Sequence, residues 1–227
     1  MTSSLCRAFA AFMATFFLLG ANAMPAAARA PKAFKETGTA SWYGSWHHGK
    51  VTANGEAYDM FAMTAAHKTI PLGSIVKVTR KATGKSIVVR INDRGPYKKR
   101  RIIDLSYAAA SSLGMKRKGV SRVQIEVVSD KQGRLLSDKQ EFYVHLQDTK
   151  PSLQAVQNQL GRLIRLGLPN ASSLLHVHGG TMAMGPFKSF EDAQTALVRV
   201  ATTHPGASII LAEKGSMKPA VRNVVAQ

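Results

Sequence analysis

The sequence predicts a small closed β-barrel followed by a small α+β sandwich, both behind an N-terminal export signal. Three observations carry this prediction. Residues 37–129 hold many short apolar and β-branched runs punctuated by turns, with one short helical stretch among them, which suits a closed barrel better than an open parallel sheet. Residues 141–214 switch to the order βαββαβ, that of a ferredoxin-like sandwich. Residues 1–23 form a basic start, an uncharged apolar run and a small-residue site, the pattern of a signal peptide.

In chain order, Arg7 precedes the apolar run Ala8–Leu19, and Ala21-Asn22-Ala23 supplies the cleavage site, with Ala28 as the alternative end. The run is shorter than the ~20 residues a membrane span needs. Cys6 lies before the run, whereas a lipoprotein cysteine lies just after it, so a soluble, non-lipidated form is expected in the periplasm or outside the cell. Within residues 37–129, Ser74–Arg80 and Ser86–Ile91 alternate in part and read as strands around a turn at Gly84. Val123–Val128 is a further strand. Ser106 caps a helix that Ala108–Leu113 propagate and Gly114 ends.

Residues 130–140 are polar and read as a linker. Phe142–Leu146 is then a strand, and Leu153–Leu166 a helix with Val156, Leu160, Leu163 and Ile164 on one face. Leu174–His178 and Thr181–Met184 pair around Gly179-Gly180. Ser189 caps a last helix whose buried stripe is Phe190, Ala193, Leu197, Val200 and Ala201. Ser208–Ala212 closes the sheet, and 215–227 reads as a loose tail.

The chain carries 31 basic and 13 acidic residues, a formal charge of +18, so an anionic partner is expected. Nucleic acid, anionic lipid and peptide-bearing cell-wall glycan all satisfy that sign. The export signal favours the wall and disfavours nucleic acid. Cys6 is the lone cysteine, which excludes an intrachain disulfide and any zinc site built on several cysteines. His47-His48, read as strand neighbours, would point to opposite faces and make a poor metal pair. No metal and no cofactor are expected.

Residues 37–129 hold 16 basic residues and only five acids: Glu56, Asp59, Asp93, Asp104 and Glu126. Asp93 stands at the end of a strand where Asn92-Asp93-Arg94-Gly95-Pro96 forces a turn, the place where a rigid scaffold meets an open cleft. Read on spacing alone, it serves either as a functional acid or as a turn cap paired with Arg94. Glu56, in Thr52-Ala53-Asn54-Gly55-Glu56, reads first as an exposed loop acid, and His67 as a hydrogen-bonded core residue. Asp104 reads as structural, binding backbone amides near the helix start. Trp42, Tyr43, Trp46, Tyr58, Phe61 and Tyr97 cluster near these turns, and aromatic faces suit the apolar C–H faces of sugar rings, although half of them suit a core equally well.

Five stretches, Gly38–Gly44, Thr52–Glu56, Thr64–Gly73, Val89–Pro96 and Arg101–Ser106, resemble the rare lipoprotein A (RlpA) family in order and spacing across 37–128. The resemblance implies a six-stranded double-psi β-barrel related to expansins. It also implies lytic transglycosylase activity on septal peptidoglycan strands that lack stem peptides. It places an acidic pair on Glu56 and Asp93 and a site histidine on His67. Substrate contacts are expected at Trp42, Tyr43, Thr52, Asn92, Arg94 and Tyr97. Family members often carry Asn and Gly where this chain has Arg80–Gly84, and a Gly near Arg100. Residues 141–214 resemble the SPOR domain, which binds denuded glycan at division septa, best at Met184–Ala193. The implied partners are glycan strands and the septal division machinery, for a monomer at most peripheral to a membrane. The rival reading is a non-catalytic, expansin-like glycan binder that loosens the wall.

Overall fold

The computed structural model describes residues 34–148, 152–168, 174–178 and 180–220; the predicted signal peptide lies outside them. Strands β1 (Lys35–Trp42), β2 (Thr64–His67), β3 (Ile75–Arg80), β4 (Ser86–Asp93), β5 (Arg101–Leu105) and β6 (Ser121–Val127) close into a double-psi barrel of order β1-β5-β2-β4-β3-β6. The β1–β5 and β2–β4 pairs are parallel and the other four antiparallel. Parallel neighbours cannot be joined by a tight hairpin. The chain must therefore run elsewhere between them: β3 intervenes between β2 and β4, and β2, β3 and β4 all intervene between β1 and β5.

Ile87, Val89 and Ile91 fill the barrel beside Ile103, Leu105, Val123 and Ile125, all fully buried. Val88 points to the opposite face of β4 and is buried as well. Strand β10 (Ser208–Glu213) of the second sheet packs against β4 and covers that outer face. This is why β4 reads as a near-continuous apolar run rather than a clean alternation. Helix α1 (Tyr107–Ser112) is capped as expected, with Ser106 Oγ accepting from the Ala109 N–H at 3.2 Å.

The second block runs β7 (Gln140–Asp148), α2 (Leu153–Arg165), β8 (Leu175–His178), β9 (Thr181–Phe187), α3 (Phe190–Val200) and β10, in an antiparallel sheet of order β10-β7-β9-β8. This is the predicted βαββαβ arrangement. Four details differ from expectation. Lys218–Pro219, placed in a loose tail, adds strand β11 to the edge of β8, and Ala220 beyond it is fully buried, since an apolar residue there covers an otherwise open sheet edge. On α3, Ala196 takes the buried position expected of Ala201, which is the exposed C-cap. On α2, Ile164 is exposed and Gln159 is buried in its place, because its amide finds the ring of His204 at 2.7 Å.

The fourth difference concerns the predicted linker. Asp130 accepts from the N–H groups of Gln132 and Arg134 and pairs with Arg134 Nε at 2.7 Å, while the Leu136 N–H returns to the Val128 carbonyl. A polar segment with Asp at its start and Gly133 in the left-handed region closes a turn on the barrel instead of hanging free. The buried residues of barrel and second block form one continuous cluster. Two polar ties add to it: Ser112 Oγ donates to the Ala207 carbonyl at 3.0 Å, and the Met63 N–H donates to Gln194 Oε1 at 3.0 Å.

Gly73 seats this turn. Its φ is +90°, its N–H donates to the Ile91 carbonyl at 2.8 Å, and a Cβ built on it collides with the Lys131 carbonyl oxygen. Gly73→Ala is therefore expected to destabilise the fold by about 2–4 kcal/mol in urea unfolding, well beyond the cost of a strain-free Gly→Ala change. A loss within experimental error would show that the 130–134 turn is not tied to the barrel.

Candidate active site

The end of β4 carries the site. Ala65 of β2 pairs with Ile91 and Ala66 with Asp93, so Asn92 is an extra residue opposite a single step of β2, a β-bulge. The bulge breaks the alternation and re-aims the two residues at the strand end. Asn92 becomes 2% exposed and aims its amide at Glu56. Asp93 becomes partly exposed at the barrel mouth.

Asp93 is held by both oxygens. Oδ1 accepts from the N–H groups of Ala53 (2.9 Å) and Arg94 (2.8 Å), and Oδ2 accepts from the Tyr43 hydroxyl (3.2 Å). Burial, then the Asp93 carboxylate, pushes the Tyr43 phenol far above its ordinary value, so Tyr43 acts as a hydrogen-bond donor and not as an acid. Its ring leans on Tyr58 and His47 at centroid separations of 5.3 and 5.2 Å.

Glu56 is brought to the same strand end by the 52–56 turn. The Asn54 N–H donates to the Asn92 carbonyl at 3.1 Å, and Thr52 Oγ1 reaches Asn54 Oδ1 (2.6 Å) and the Glu56 carbonyl (2.8 Å). The Glu56 carboxylate accepts from both terminal nitrogens of Arg90 at 2.9–3.1 Å and from Asn92 Nδ2 at 2.7 Å. Burial works to raise this carboxyl, but the Arg90 and Asn92 hydrogen bonds outweigh it and hold Glu56 below its ordinary value. The two acids are thus differentiated by their partners. Glu56 is gripped by a cation and stays ionised, whereas Asp93 is held only by neutral donors. Arg90 was not among the expected site residues, although its spacing of two from Asn92 places both side chains on one face of the strand.

His67 does not join the pair. Its ring is 3% exposed; Nδ1 accepts from the Thr69 and Ile70 N–H groups at 3.2 and 3.0 Å, which leaves Nε2 to face Glu36 Oε2 at 3.3 Å. Its carbonyl accepts from Arg94 at 3.2 Å, as does that of Ile70 at 2.9 Å. His67 and Arg94 therefore fix the path of the chain just past Asp93, and the orienting role expected of the histidine is exerted on that loop and on Glu36. Burial, ahead of the opposing Glu36 contact, pushes the His67 pKa down. A depressed folded-state value adds stability above the unfolded histidine value that is lost as pH falls through the folded one. The melting temperature is accordingly expected to drop on acidification below about pH 6.5, and to drop less in His67→Gln. Equal pH slopes in the two proteins would remove His67 as the source.

The other expected contacts divide. Trp42 packs edge-on against Tyr107 at 5.8 Å and belongs partly to the core, and Tyr58 is buried. Thr52 and Asn92 are buried and spend their polar groups on the turn and on Glu56, because each finds a closer partner inside the protein than solvent offers. Tyr97, Trp46 and Phe61 are exposed beside the mouth, Trp46 stacking on His47 with Lys50 Nζ 4.3 Å above its ring. Asp104 accepts from Ser41 Oγ and from Arg101 at 3.4 Å, not from backbone amides as expected, because β1 lies beside it in parallel register. His47 lies in a 3-10 turn rather than a strand, and His48 Nδ1 accepts from the Met60 N–H. Among the described residues, no group of three or more His, Cys, Asp or Glu side chains converges as a metal site.

The fold is a double-psi β-barrel that carries two carboxylates at the end of one strand. A family profile described as "Lytic transglycolase" matches residues 35–125, the span of the barrel. The "Endolytic peptidoglycan transglycosylase RlpA" of Neisseria meningitidis serogroup A is 42% identical over 167 residues, 72% of this chain and 70% of that protein. The protein of the same name from Vibrio cholerae serotype O1 is 60% identical over 99 residues, 44% of this chain and 38% of that protein. Among solved structures, "Streptomyces papain inhibitor (SPI)" is 28% identical over 43% of this chain and 97% of that one, at a TM-score of 0.35. The chain belongs to the RlpA family. It spans less than half the length of its Vibrio relative and about two thirds of the Neisseria one.

Proposed function

We propose that this chain cleaves the β-1,4 bond between N-acetylmuramic acid and N-acetylglucosamine in peptidoglycan, leaving 1,6-anhydro ends. The observation that carries the reading is the difference in partners between two carboxylates at one strand end, Glu56 held by Arg90 and Asn92 and Asp93 by neutral donors. Oδ1 of Asp93 already accepts two backbone N–H bonds, so the mobile proton belongs on Oδ2, the oxygen beside Tyr43. That proton goes to the bridging oxygen as the bond to the anomeric carbon breaks. The carboxylate left behind takes the proton of the muramic 6-hydroxyl as that oxygen closes on the anomeric carbon. One group serves as acid and then as base, and no water is consumed. Glu56, kept anionic by Arg90, supplies negative charge near the oxocarbenium-like centre. Exposed Tyr97 and Trp46 offer stacking faces for flanking sugars.

Substrate in the wall requires export, which the predicted signal peptide provides. The second block, with its likeness to SPOR domains, is assigned a supporting hold on glycan near the barrel. Mass spectrometry of digests of peptide-free glycan and of whole sacculi tests the activity. Anhydro-ended fragments are the expected product; their absence from both digests, with binding retained, would favour the expansin-like alternative.

A further inference from the structure

We propose that the end of the barrel remote from Asp93 is a docking surface for anionic phospholipid, which seats the chain on a membrane and leaves the Asp93 strand end at the opposite pole.

Three segments meet at that remote end. Strand β3 stops at Arg80, the turn 81–85 leads into β4 at Ser86, and β6 starts at Ser121. Arg80 pins the three together. Its Nε donates to Ser121 Oγ at 3.2 Å, and a terminal nitrogen donates to the carbonyls of Leu113 and Gly114 at 3.2 and 3.0 Å. The Lys81 N–H donates to the Arg122 carbonyl at 3.0 Å. Arg80 thereby satisfies carbonyls left open at the end of α1, as a cation at a helix C-terminus does.

The result is a cationic pole. Lys81, Arg117, Lys118 and Arg122 are exposed and Lys85 is half-buried. Residues 80–86 and 113–122 contain no acid. The second-block loop 201–207, tied to α1 by the bond from Ser112 to Ala207, contains none either. Among the described residues, none of these five cations has a carboxylate within salt-bridge distance. Lys116 differs, since its ammonium lies over the Tyr107 ring and meets the Tyr107 hydroxyl. Charge gathered by the fold and left without a counter-charge calls for an external anion.

Position and shape select which anion. Strand β4 runs eight residues from this pole to Asp93, roughly 23 Å at the rise of a strand, so a glycan seated at Asp93 holds its own substituents away from the patch. Cations spread over three segments meet several headgroups of a planar leaflet at once, and clusters of this size bind anionic lipid. Val120, between Lys118 and Arg122, is 49% exposed. An apolar side chain set among cations suits the boundary between headgroups and acyl chains, where charge attraction and apolar burial add. A hydrated wall polymer answers the charge and leaves Val120 without a partner.

The test is co-sedimentation of the processed chain, purified after export, with phosphatidylglycerol-containing vesicles, with pure phosphatidylcholine vesicles and with sacculi. A Lys81→Gln/Arg117→Gln/Arg122→Gln variant removes three exposed charges from the patch. A Lys98→Gln/Lys99→Gln/Arg100→Gly variant removes three from the loop after β4 and so matches its net charge. The wild-type chain should bind the phosphatidylglycerol vesicles, ignore phosphatidylcholine and release the former as salt is added. The patch variant should bind them about a hundredfold more weakly, and the matched variant as wild type does. All three patch changes are at exposed positions, so an unaltered melting temperature is expected to accompany the loss. Wild-type affinity in the patch variant overturns the proposal, and so does an equal loss in the matched variant, which would reduce the effect to net charge. A wild-type chain that ignores phosphatidylglycerol vesicles overturns it as well; if that chain pellets with sacculi and the patch variant does not, the patch belongs to anions of the wall.

Discussion

Asp93→Asn is expected to lower the release of anhydro-ended fragments by about three orders of magnitude, the middle of the range a positioned acid/base supplies. The fold should survive the change. The asparagine oxygen still accepts the Ala53 and Arg94 N–H bonds, and its amide nitrogen meets the Tyr43 hydroxyl, which accepts as readily as it donates. The melting temperature should therefore stay close to wild type while product disappears. Product formation near the wild-type rate in a folded Asp93→Asn protein would move the proton transfer to another group and leave Asp93 as a strap for the 52–56 turn.

Glu56→Gln carries the second largest effect, about a hundredfold loss in rate, from removing a fixed anion beside developing positive charge. Its cost in stability should be small, because Glu56 and Arg90 are 36% and 25% exposed and a pair of that kind contributes about 1 kcal/mol or less. Arg90→Leu separates charge from position. Without the guanidinium the Glu56 carboxyl rises toward its ordinary value. A carboxyl held low keeps its anion, and the stability that comes with it, until pH falls through that low value. The acid limb of the rate profile should therefore move to higher pH in Arg90→Leu. A limb that stays in place would show that Glu56 ionisation does not govern the rate.

Much of this protein was legible in its residues because local chemistry decided it. Ser106 and Ser189 cap the helices they precede, each accepting from an N–H three residues on. Turn residues marked the strand ends, and the order of the second block followed from its hydrophobic periods. Asp93 drew attention as an acid at a strand end in a basic block, and there it stands. Less legible was everything that depends on a neighbour distant in sequence. His67 was expected beside the carboxylates, but the N–H groups of Thr69 and Ile70 hold one ring nitrogen and turn the other to Glu36, 31 residues away. The linker became a turn because Gly73 leaves room for the Lys131 carbonyl against the barrel.

By itself, then, the sequence determined most of the elements, the caps of α1 and α3 and the strand-end place of Asp93, since each depends on residues within a few positions along the chain. Only the tertiary structure decided which partners each acid meets. A bulge at Asn92 sends one side chain toward Arg90 and Glu56 and the next toward Tyr43 and two backbone amides. The charge state of a carboxyl follows from what surrounds it in space, and that surrounding is assembled from segments up to 50 residues apart.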